Sequence, residues 1–204
     1  LFGGSTEEAK EEESKPLEKL SLNLVKHDYH LIDTPELRKS LAGFLALQKE
    51  FCFDTETTSL ETTEAELVGI AFCYLRGEAY FVPCQNLKYD IQVLKNYDIH
   101  VKGKIFDTML AHYLIDPETA HRMDVIAETY LNYTPVPISK LIGPKGKKQK
   151  SIREAPLVEL VDYACEDADI TFQLKEKLAP EITEKGLEKL LHDVEEPLSF
   201  VLAD

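Results

Sequence analysis

A short apolar segment that ends in two acidic residues places the strongest constraint on this chain of 204 residues. The apolar run Phe51–Phe53 leads directly into Asp54 and Glu56. Side chains at positions i and i+2 share one face of a strand, so these two carboxylates are expected to project together. Like charges at the end of a buried strand repel each other unless a cation lies between them. Because carboxylate oxygens suit Mg²⁺ and Mn²⁺, the segment favours a metal site, although this pattern alone is a weak signal.

Two later segments have spacings that strengthen the metal-site interpretation. Gln85–Asp90 carries an Asn-x-x-x-Asp pattern and is followed by helical periodicity. Tyr163 and Asp167 are separated by four residues, so they lie one turn apart on the same face of a helix predicted from about Leu157 to Leu178. Asp-x-Glu on a strand, Asn-x-x-x-Asp entering a helix and Tyr-x-x-x-Asp on a late helix form a highly specific ordered set.

This ordered set resembles the three exonuclease motifs of the 3′→5′ proofreading domain of bacterial DNA polymerase I, a family A polymerase. The resemblance also covers four segments and extends more loosely from about Leu22 to the C-terminus: Phe106–Leu110, His121–Asp124, Leu141–Gly146 and Tyr163–Thr171. It implies a two-metal mechanism with two divalent ions, Mg or Mn. It also implies four metal-binding carboxylates: Asp54, Glu56, Asp90 and Asp167. Tyr163 takes the place of the tyrosine that orients the attacking water.

The resemblance further implies that the substrate is a single-stranded or frayed 3′ end of DNA. The expected product is a 5′-mononucleotide. Leu60 and Tyr89 lie beside motif acids and are candidates to wedge between or stack on terminal bases, as apolar and aromatic side chains do in single-strand channels. Core packing is the alternative for Leu60. The amides of Gln85 and Asn86 either bind the sugar-phosphate backbone or satisfy strand-end groups. Thr57 completes the expected substrate contacts.

The formal net charge of −14 argues against a protein that holds nucleic acid by bulk electrostatics, but it does not exclude a nuclease whose acidic site binds metals. A basic run, Lys145–Lys150, is either a phosphate contact or a solvated loop. No stretch has the length of a membrane span and no secretory signal is visible. The four cysteines show no Cys-x-x-Cys spacing, which favours reduced thiols. We therefore expect a cytoplasmic monomer with no membrane partner.

The element pattern predicts an α/β fold: a ribonuclease H-like mixed sheet flanked by helices. Three early strands are predicted, followed by helices capped by Asp107 and Asp124 and by a last helix. The predicted strands and last helix are Phe51–Leu60, Glu66–Leu75, Ala79–Val82 and Leu187–Leu202. Residues 1–21 are predicted to be an acidic linker or disordered tail. Residues 22–182 are predicted to be the exonuclease domain, and 183–204 a helical lead-in to a polymerase domain that is covalently linked in the full-length protein.

Several residues near the motifs have a simpler structural explanation. Asp107 is expected to cap a helix rather than bind metal. Glu166 and Asp169, which flank Asp167, are expected to lie on a solvated face of their helix. The six histidines of the chain include His112, His121 and His192, which lack zinc-ligand spacing and are expected to lie on the surface or pack in the core.

One departure from the family pattern concerns Cys84. The family has a helix and the start of another strand between the strand ending at Pro83 and the Gln-Asn motif, whereas here Cys84 alone separates Pro83 from Gln85. A parallel crossover needs a dozen or more residues. Either residues are absent at this point, or the chain is truly short and its sheet is rearranged. The intact motifs on both sides favour the first, which predicts a break in the backbone near Cys84 with Asp90 still pointing at Asp54. Two rival functions stay open: an inactive domain serving as a structural platform, and a related exoribonuclease.

Overall fold

The computed structural model describes residues 19–59, 66–87, 103–146 and 148–202, with the backbone alone described for residues 84–87, 199, 200 and 202. The strands of this part are β1 (Asp28–Leu31), β2 (Cys52–Thr57), β3 (Leu67–Leu75) and β4 (Glu78–Leu87). The helices are α1 (Pro35–Leu45), α2 (Thr108–Ile115), α3 (Met123–Leu131), α4 (Ser139–Ile142), α5 (Leu157–Glu184), α6 (Glu188–Leu190) and α7 (Glu196–Leu202). The π-helical turn Leu191–Glu195 joins α6 to α7. Two short 3-10 turns lie at Leu22–Leu24 and Ile152–Glu154.

The four strands form one mixed sheet with the order β1-β4-β3-β2. β2 runs antiparallel to β3 and β3 antiparallel to β4, whereas β1 is parallel to β4. The tight turn between β3 and β4 is the predicted Arg76-Gly77 pair, and Gly77 adopts the left-handed conformation (φ 78°) that such a turn requires. The predicted α/β class, a mixed sheet with flanking helices, is thus observed.

The long helix α5 packs across the inner face of the sheet, where small side chains allow close approach. Alternate residues of β3 and β4, among them Ala71, Ala79 and Phe81, are fully buried on this face. Ala164 and Ala168 of α5 pack against them in the same core cluster. This packing holds the middle of α5 directly over the strands.

The second half of α5 belongs to another core cluster. Ile170, Leu174 and Leu178 are buried there together with Ala111 of α2 and Ile126 of α3. α5 therefore contacts the sheet through its first half and the smaller helices through its second. No helix in the part of the chain that the structure describes is long and apolar enough to cross a membrane.

The predicted helix starts are right at Asp107 and wrong at Asp124. Asp107 caps α2 by accepting hydrogen bonds from the N–H groups of Met109 (2.8 Å) and Leu110 (3.0 Å). Asp124 instead lies inside the first turn of α3, which begins at Met123, and its carboxylate pairs with Arg122 at 2.8 Å. An acid in the first turn still suits the helix dipole, so the prediction of a helix start here was right but its cap was placed two residues too late.

The later helices differ from the prediction in length and regularity. α5 continues past the predicted end at Leu178 to Glu184 and includes Pro180. The last predicted helix is present, but the π-helical turn interrupts it.

The predicted break near Cys84 is wrong, because β4 runs without interruption from Glu78 to Leu87. Its pairing with β3 extends from Leu75↔Glu78 to Leu67↔Leu87, with a register shift between Leu67 and Gly69. Pro83 pairs beside this shift, a place where the missing proline N–H is tolerated. The irregular register therefore lets β4, which was predicted to end at Val82, stay paired with β3 as far as Leu87. Asp90 lies outside the described residues, so its expected direction stays a prediction.

Candidate metal centre

Strand β2 and helix α5 bring three of the predicted acids together. Asp54 and Glu56 pair with Ala71 and Gly69 of β3 and share one face of β2. Asp167 comes from α5, which packs on β2. One carboxylate oxygen from each of the three lies within 4.8 Å of the others. The two-residue period of β2 puts Asp54 and Glu56 on one face, and the packing of α5 adds Asp167 from more than a hundred positions further along the chain.

The environment of Asp167 disfavours its charge. Asp167 is 8% exposed and Glu56 6% exposed. Burial raises the pKa of Asp167 well above its ordinary value, and the nearby charge of Asp54 raises it further, whereas a hydrogen bond from Tyr163 lowers it. Among the described residues, Oδ1 of Asp167 has no hydrogen-bond partner. A buried oxygen of this kind beside two other carboxylates fits a divalent cation, which would supply the missing partner and offset the repulsion.

Tyr163 lies one turn before Asp167 on α5 and faces the same cluster. Its hydroxyl donates to Asp167. Burial, followed by the charges of Asp167 and Glu56, raises the pKa of Tyr163 above its ordinary value. The phenol is therefore neutral at physiological pH and keeps a proton to donate.

The other predicted site residues are only partly placed. Leu60, Tyr89 and Asp90 lie outside the described residues. The backbone of Gln85 and Asn86 belongs to β4, but their side chains are not described. Thr57 ends β2, and its hydroxyl donates to the carbonyl of Ser59 at 3.1 Å.

A groove of about 380 Å³ opens beside the carboxylate cluster, and sequence reasoning missed it. This volume is within the range typical of small-molecule sites. Tyr163 and Asp167 line the groove, and the segment 134–137 forms another part of its wall. The remaining lining residues are Met123, Asp124 and Glu128. The Pro-Val-Pro run at 135–137 could have indicated a stiff loop here, because each proline fixes its own backbone φ angle.

The expectation that Glu166 lies on a solvated face is wrong. Glu166 is fully buried, and both of its carboxylate oxygens accept hydrogen bonds. The Tyr133 hydroxyl donates at 2.6 Å and the Val136 N–H at 2.8 Å. Burial raises the pKa of Glu166, whereas these two bonds lower it.

The same expectation is wrong for Asp169, which is 4% exposed. Its carboxylate accepts from the Tyr29 hydroxyl (3.0 Å), the Gly77 N–H (3.0 Å) and the Gln173 amide (2.9 Å). These donors come from β1, the β3–β4 turn and α5 itself. Helical periodicity could not predict this burial, because most of the partners are more than 90 positions away in the chain.

The histidines take structural positions. His112 is buried and its Nδ1 lies 2.8 Å from Nδ1 of His121. His192 contacts the buried Glu196 through Nδ1 at 2.8 Å. Lys145, Lys148 and Lys150 of the basic run are exposed, and a phosphate contact there stays a prediction.

Comparison with known proteins identifies the family. The sequence model described as 3'-5' exonuclease matches residues 75–183, just over half of the chain. The chain belongs to the 3'-5' exonuclease family. The match includes Tyr163 and Asp167 but begins after Asp54 and Glu56, so the geometry of β2 adds information that the family match does not contain.

Relatives of this exonuclease chain are bacterial DNA polymerases I, which confirms the resemblance seen in the motifs. The chain is 30% identical over 205 residues to DNA polymerase I of Borreliella burgdorferi, covering 86% of this chain and 22% of the relative. It is 33% identical over 205 residues to DNA polymerase I of Pseudomonas aeruginosa, covering 79% and 22%. The chain thus spans about a fifth of the length of these relatives.

Two solved structures share the fold of this exonuclease chain. Brucella melitensis NrnC aligns with a TM-score of 0.61 at 18% identity, covering 87% of this chain and 89% of that one. The catalytic core of RRP6 from Trypanosoma brucei aligns with a TM-score of 0.63 at 16% identity, covering 90% and 55%. These likenesses confirm the ribonuclease H-like fold class.

Proposed function

We propose that this chain hydrolyses nucleotides one at a time from the 3′ end of single-stranded or frayed DNA, using divalent cations. The observation that carries the proposal is the convergence of Asp54, Glu56 and Asp167 beside Tyr163 in a member of the 3'-5' exonuclease family. Four acidic or phenolic groups around one point suit phosphodiester hydrolysis, in which a metal-dependent site must accept a phosphate and a water together.

Asp54, Glu56 and Asp167 would hold the metal, and Asp90 is the proposed fourth ligand. Divalent cations bound there make water a stronger nucleophile near neutral pH and neutralise charge that develops on the scissile phosphate. We propose two ions, Mg²⁺ or Mn²⁺. The structural relative NrnC has been solved with bound Mg²⁺, which supports this choice of metal.

Tyr163 would position the attacking water through its hydroxyl, which the hydrogen bond to Asp167 already orients toward the cluster. The groove beside Tyr163 would receive the 3′-terminal nucleotide. A duplex end must unstack before its last phosphate reaches the carboxylates, which favours frayed over paired termini. Gln85, Asn86, Tyr89, Leu60 and Thr57 stay proposed substrate contacts.

In the full-length protein, we propose that a covalently linked polymerase domain supplies the frayed primer end. The matched relatives are DNA polymerases I, and the chain spans a small part of each. We also propose that the exonuclease acts as a monomer in the cytoplasm, where DNA and polymerase meet. Mass measurement in solution tests the monomer.

An exoribonuclease of the same fold is the second candidate function. NrnC has also been solved bound to pGG, and the geometry of three carboxylates and a tyrosine does not distinguish a deoxyribose from a ribose. The choice of DNA therefore depends on the similarity to DNA polymerase I.

The decisive experiment compares 5′-labelled DNA and RNA oligonucleotides of matched sequence, with Mg²⁺, with Mn²⁺ and with chelator. We expect a ladder of shortening DNA products, none of it in chelator. Asp54→Ala and Asp167→Ala should each lower the rate more than about 100-fold, because loss of groups that only support metal ligands already costs about 10–100-fold. Asp33→Ala, which removes an exposed acid, is the control and should act like the parent.

Each alternative has its own outcome in this experiment. Faster cleavage of RNA than DNA would establish the exoribonuclease. A folded parent that cleaves neither would support the structural platform. Activity in chelator, or undiminished activity in Asp54→Ala, would rule the proposed site out.

A further inference from the structure

Two buried carboxylates flank Asp167 on α5, and they tie the helix to different parts of the molecule. Asp169 accepts from Tyr29 of β1 and from the turn at Gly77. Glu166 accepts from Val136, which lines the groove, and from Tyr133, which immediately precedes the groove-lining segment 134–137. The two carboxylates therefore allow an internal comparison. Both lie on α5, both are buried and both accept from a tyrosine, but only Glu166 contacts a residue that lines the groove.

The groove wall has few backbone anchors of its own. Pro135 and Pro137 have no N–H group, so Val136 carries the single backbone donor between Thr134 and Ile138. The Val136 N–H donates to the carboxylate of Glu166 at 2.8 Å. Glu166 thus receives the one main-chain bond that this stretch can donate.

The wall is also held at its start by two backbone hydrogen bonds. The Thr134 N–H donates to the carbonyl of Leu20 at 2.9 Å, and the Tyr133 N–H donates to the carbonyl of Ala127 at 3.2 Å. These bonds join the wall to α3 and to the N-terminal segment. The two bonds of Glu166 join it to α5, immediately beside the candidate metal ligand Asp167.

We infer that Glu166 is a positioning residue that, through Val136 and the adjacent Tyr133, holds the wall 134–137 at a set distance from Asp167 and Tyr163 and so seats the 3′-terminal nucleotide of the substrate in the groove. This inference rests on the proposed exonuclease function. Glu166 itself contacts neither the reacting phosphate nor the water in this scheme. Both carboxylate oxygens of Glu166 already accept hydrogen bonds, one from Tyr133 and one from Val136. Its effect on the substrate therefore passes through the wall that contains Val136 and follows Tyr133.

Four variants separate positioning from simple stabilisation. Tyr133→Phe removes one bond of Glu166, and Glu166→Leu removes both. Glu166→Gln keeps both contacts, because its amide oxygen can accept from Val136 while its NH₂ donates to the Tyr133 oxygen. Tyr29→Phe is the matched control: it removes an equivalent tyrosine–carboxylate bond from Asp169, on the same helix, without touching the groove.

Steady-state kinetics on a single-stranded DNA oligonucleotide with Mn²⁺ are measured well below the Tm of each variant, together with the rise in Tm that Mn²⁺ causes. We expect Tyr133→Phe to lower kcat/KM, chiefly by raising KM, by about 10–100-fold, since small misplacements of a positioning group have effects of this order. The Mn²⁺-induced rise in Tm should be unchanged. Glu166→Gln should retain parental kinetics, and Tyr29→Phe should lose stability alone.

Equal kinetics in Tyr133→Phe, Tyr29→Phe and the parent would overturn the inference, as would equal losses of kcat/KM in both tyrosine variants. If Glu166→Leu does not fold, Tyr133→Phe still decides. Failure of the proposed function looks different: the parent would show no hydrolysis, or Asp54→Ala would keep it, and the inference would then fall as well. An active parent, an inactive Asp54→Ala and a parental Tyr133→Phe would sink the positioning role only.

Discussion

At the scale of single residues, Asp167 carries an ionisable group in surroundings that disfavour its charge. Burial and the charge of Asp54 raise its pKa, and one of its oxygens lacks a hydrogen-bond partner within the described structure. Such a residue costs stability in the absence of metal. Perturbed carboxylates of this kind are common in functional sites, which supports the proposed metal-binding role of Asp167.

Tyr163→Phe tests the role of a single hydroxyl in this cluster. The ring should keep its packing, while the donor to Asp167 and to the attacking water is lost. We expect the hydrolysis rate to fall about 10²–10⁴-fold with metal affinity nearly unchanged, because proton transfer and positioning contributions are of this size. Single-turnover rates together with Mn²⁺ titration measure the two effects. Tyr74→Phe, a change at a tyrosine on β3, is the control. A Tyr163→Phe enzyme as fast as the parent would reduce Tyr163 to a packing residue.

At the scale of elements, the position of β2 under α5 depends on its neighbour in the sheet, β3, with which it pairs. Gly69 of β3 pairs with Glu56, and a Cβ at this position would overlap the ring of the fully buried Phe81. Glycine is therefore required here for space rather than for an unusual backbone angle.

Gly69→Ala should destabilise the protein by about 1–3 kcal/mol, the usual cost of overpacking a core. It should also lower activity, because a shift of β3 moves Glu56. Phe81→Leu in the same chain should recover part of the loss by making room. Urea unfolding measures the free energy of unfolding of the single and the double variant. The matched control is Gly43→Ala in α1, where a Cβ meets nothing within 4 Å and added helix propensity should stabilise. Additive effects of Gly69→Ala and Phe81→Leu would refute the steric explanation.

The contact between His112 of α2 and His121 predicts a pH dependence of stability. Burial, followed by the charge of His121, lowers the pKa of His112, whereas Asp116 and Glu181 raise it. A histidine with a lowered pKa in the folded state is favoured as the neutral form. Its stabilising effect is complete above the ordinary histidine pKa of about 6.5 and is lost as the pH falls below it.

We therefore expect a lower Tm at about pH 5.5 than at about pH 7.5. His121→Ala removes the neighbouring charge, so the difference in Tm between the two pH values should shrink. Thermal unfolding at both pH values measures this directly. A difference as large in His121→Ala as in the parent would show that His121 has no part in it.

At the scale of the whole molecule, the formal net charge of −14 leaves an excess of acidic side chains that repel one another. This repulsion is strongest where Asp54, Glu56 and Asp167 converge. Divalent cations should therefore stabilise the fold as well as support hydrolysis. At a free metal concentration of about 100 times the dissociation constant, binding adds about 2.7 kcal/mol.

For a protein of this size that energy corresponds to a rise in Tm of about 5–10 °C. Thermal unfolding in chelator and in Mg²⁺ or Mn²⁺ measures it, with monovalent salt at matched ionic strength as the control. Asp54→Ala should show little of the rise. An equal rise in the variant and in matched salt would indicate general screening instead of a bound ion.

Local sequence patterns were sufficient for much of the fold and for part of the site. The i, i+2 spacing of Asp54 and Glu56 and the i, i+4 spacing of Tyr163 and Asp167 depend only on strand and helix periods, so their shared faces could be predicted. The cap at Asp107 is equally local. The β4 strand was predicted too short, because its pairing with β3 through an irregular register is a property of two strands together.

The sequence by itself determined which residues could share a face, which family the motifs resemble and which chemistry they suit. Tertiary structure alone decided that Glu166 and Asp169 are buried and that the segment 134–137 walls a groove. The physical reason is range. Periodicity and capping act over a few residues, whereas burial and hydrogen-bond partners are set by segments that lie far apart in the chain and meet only when α5 packs on the sheet.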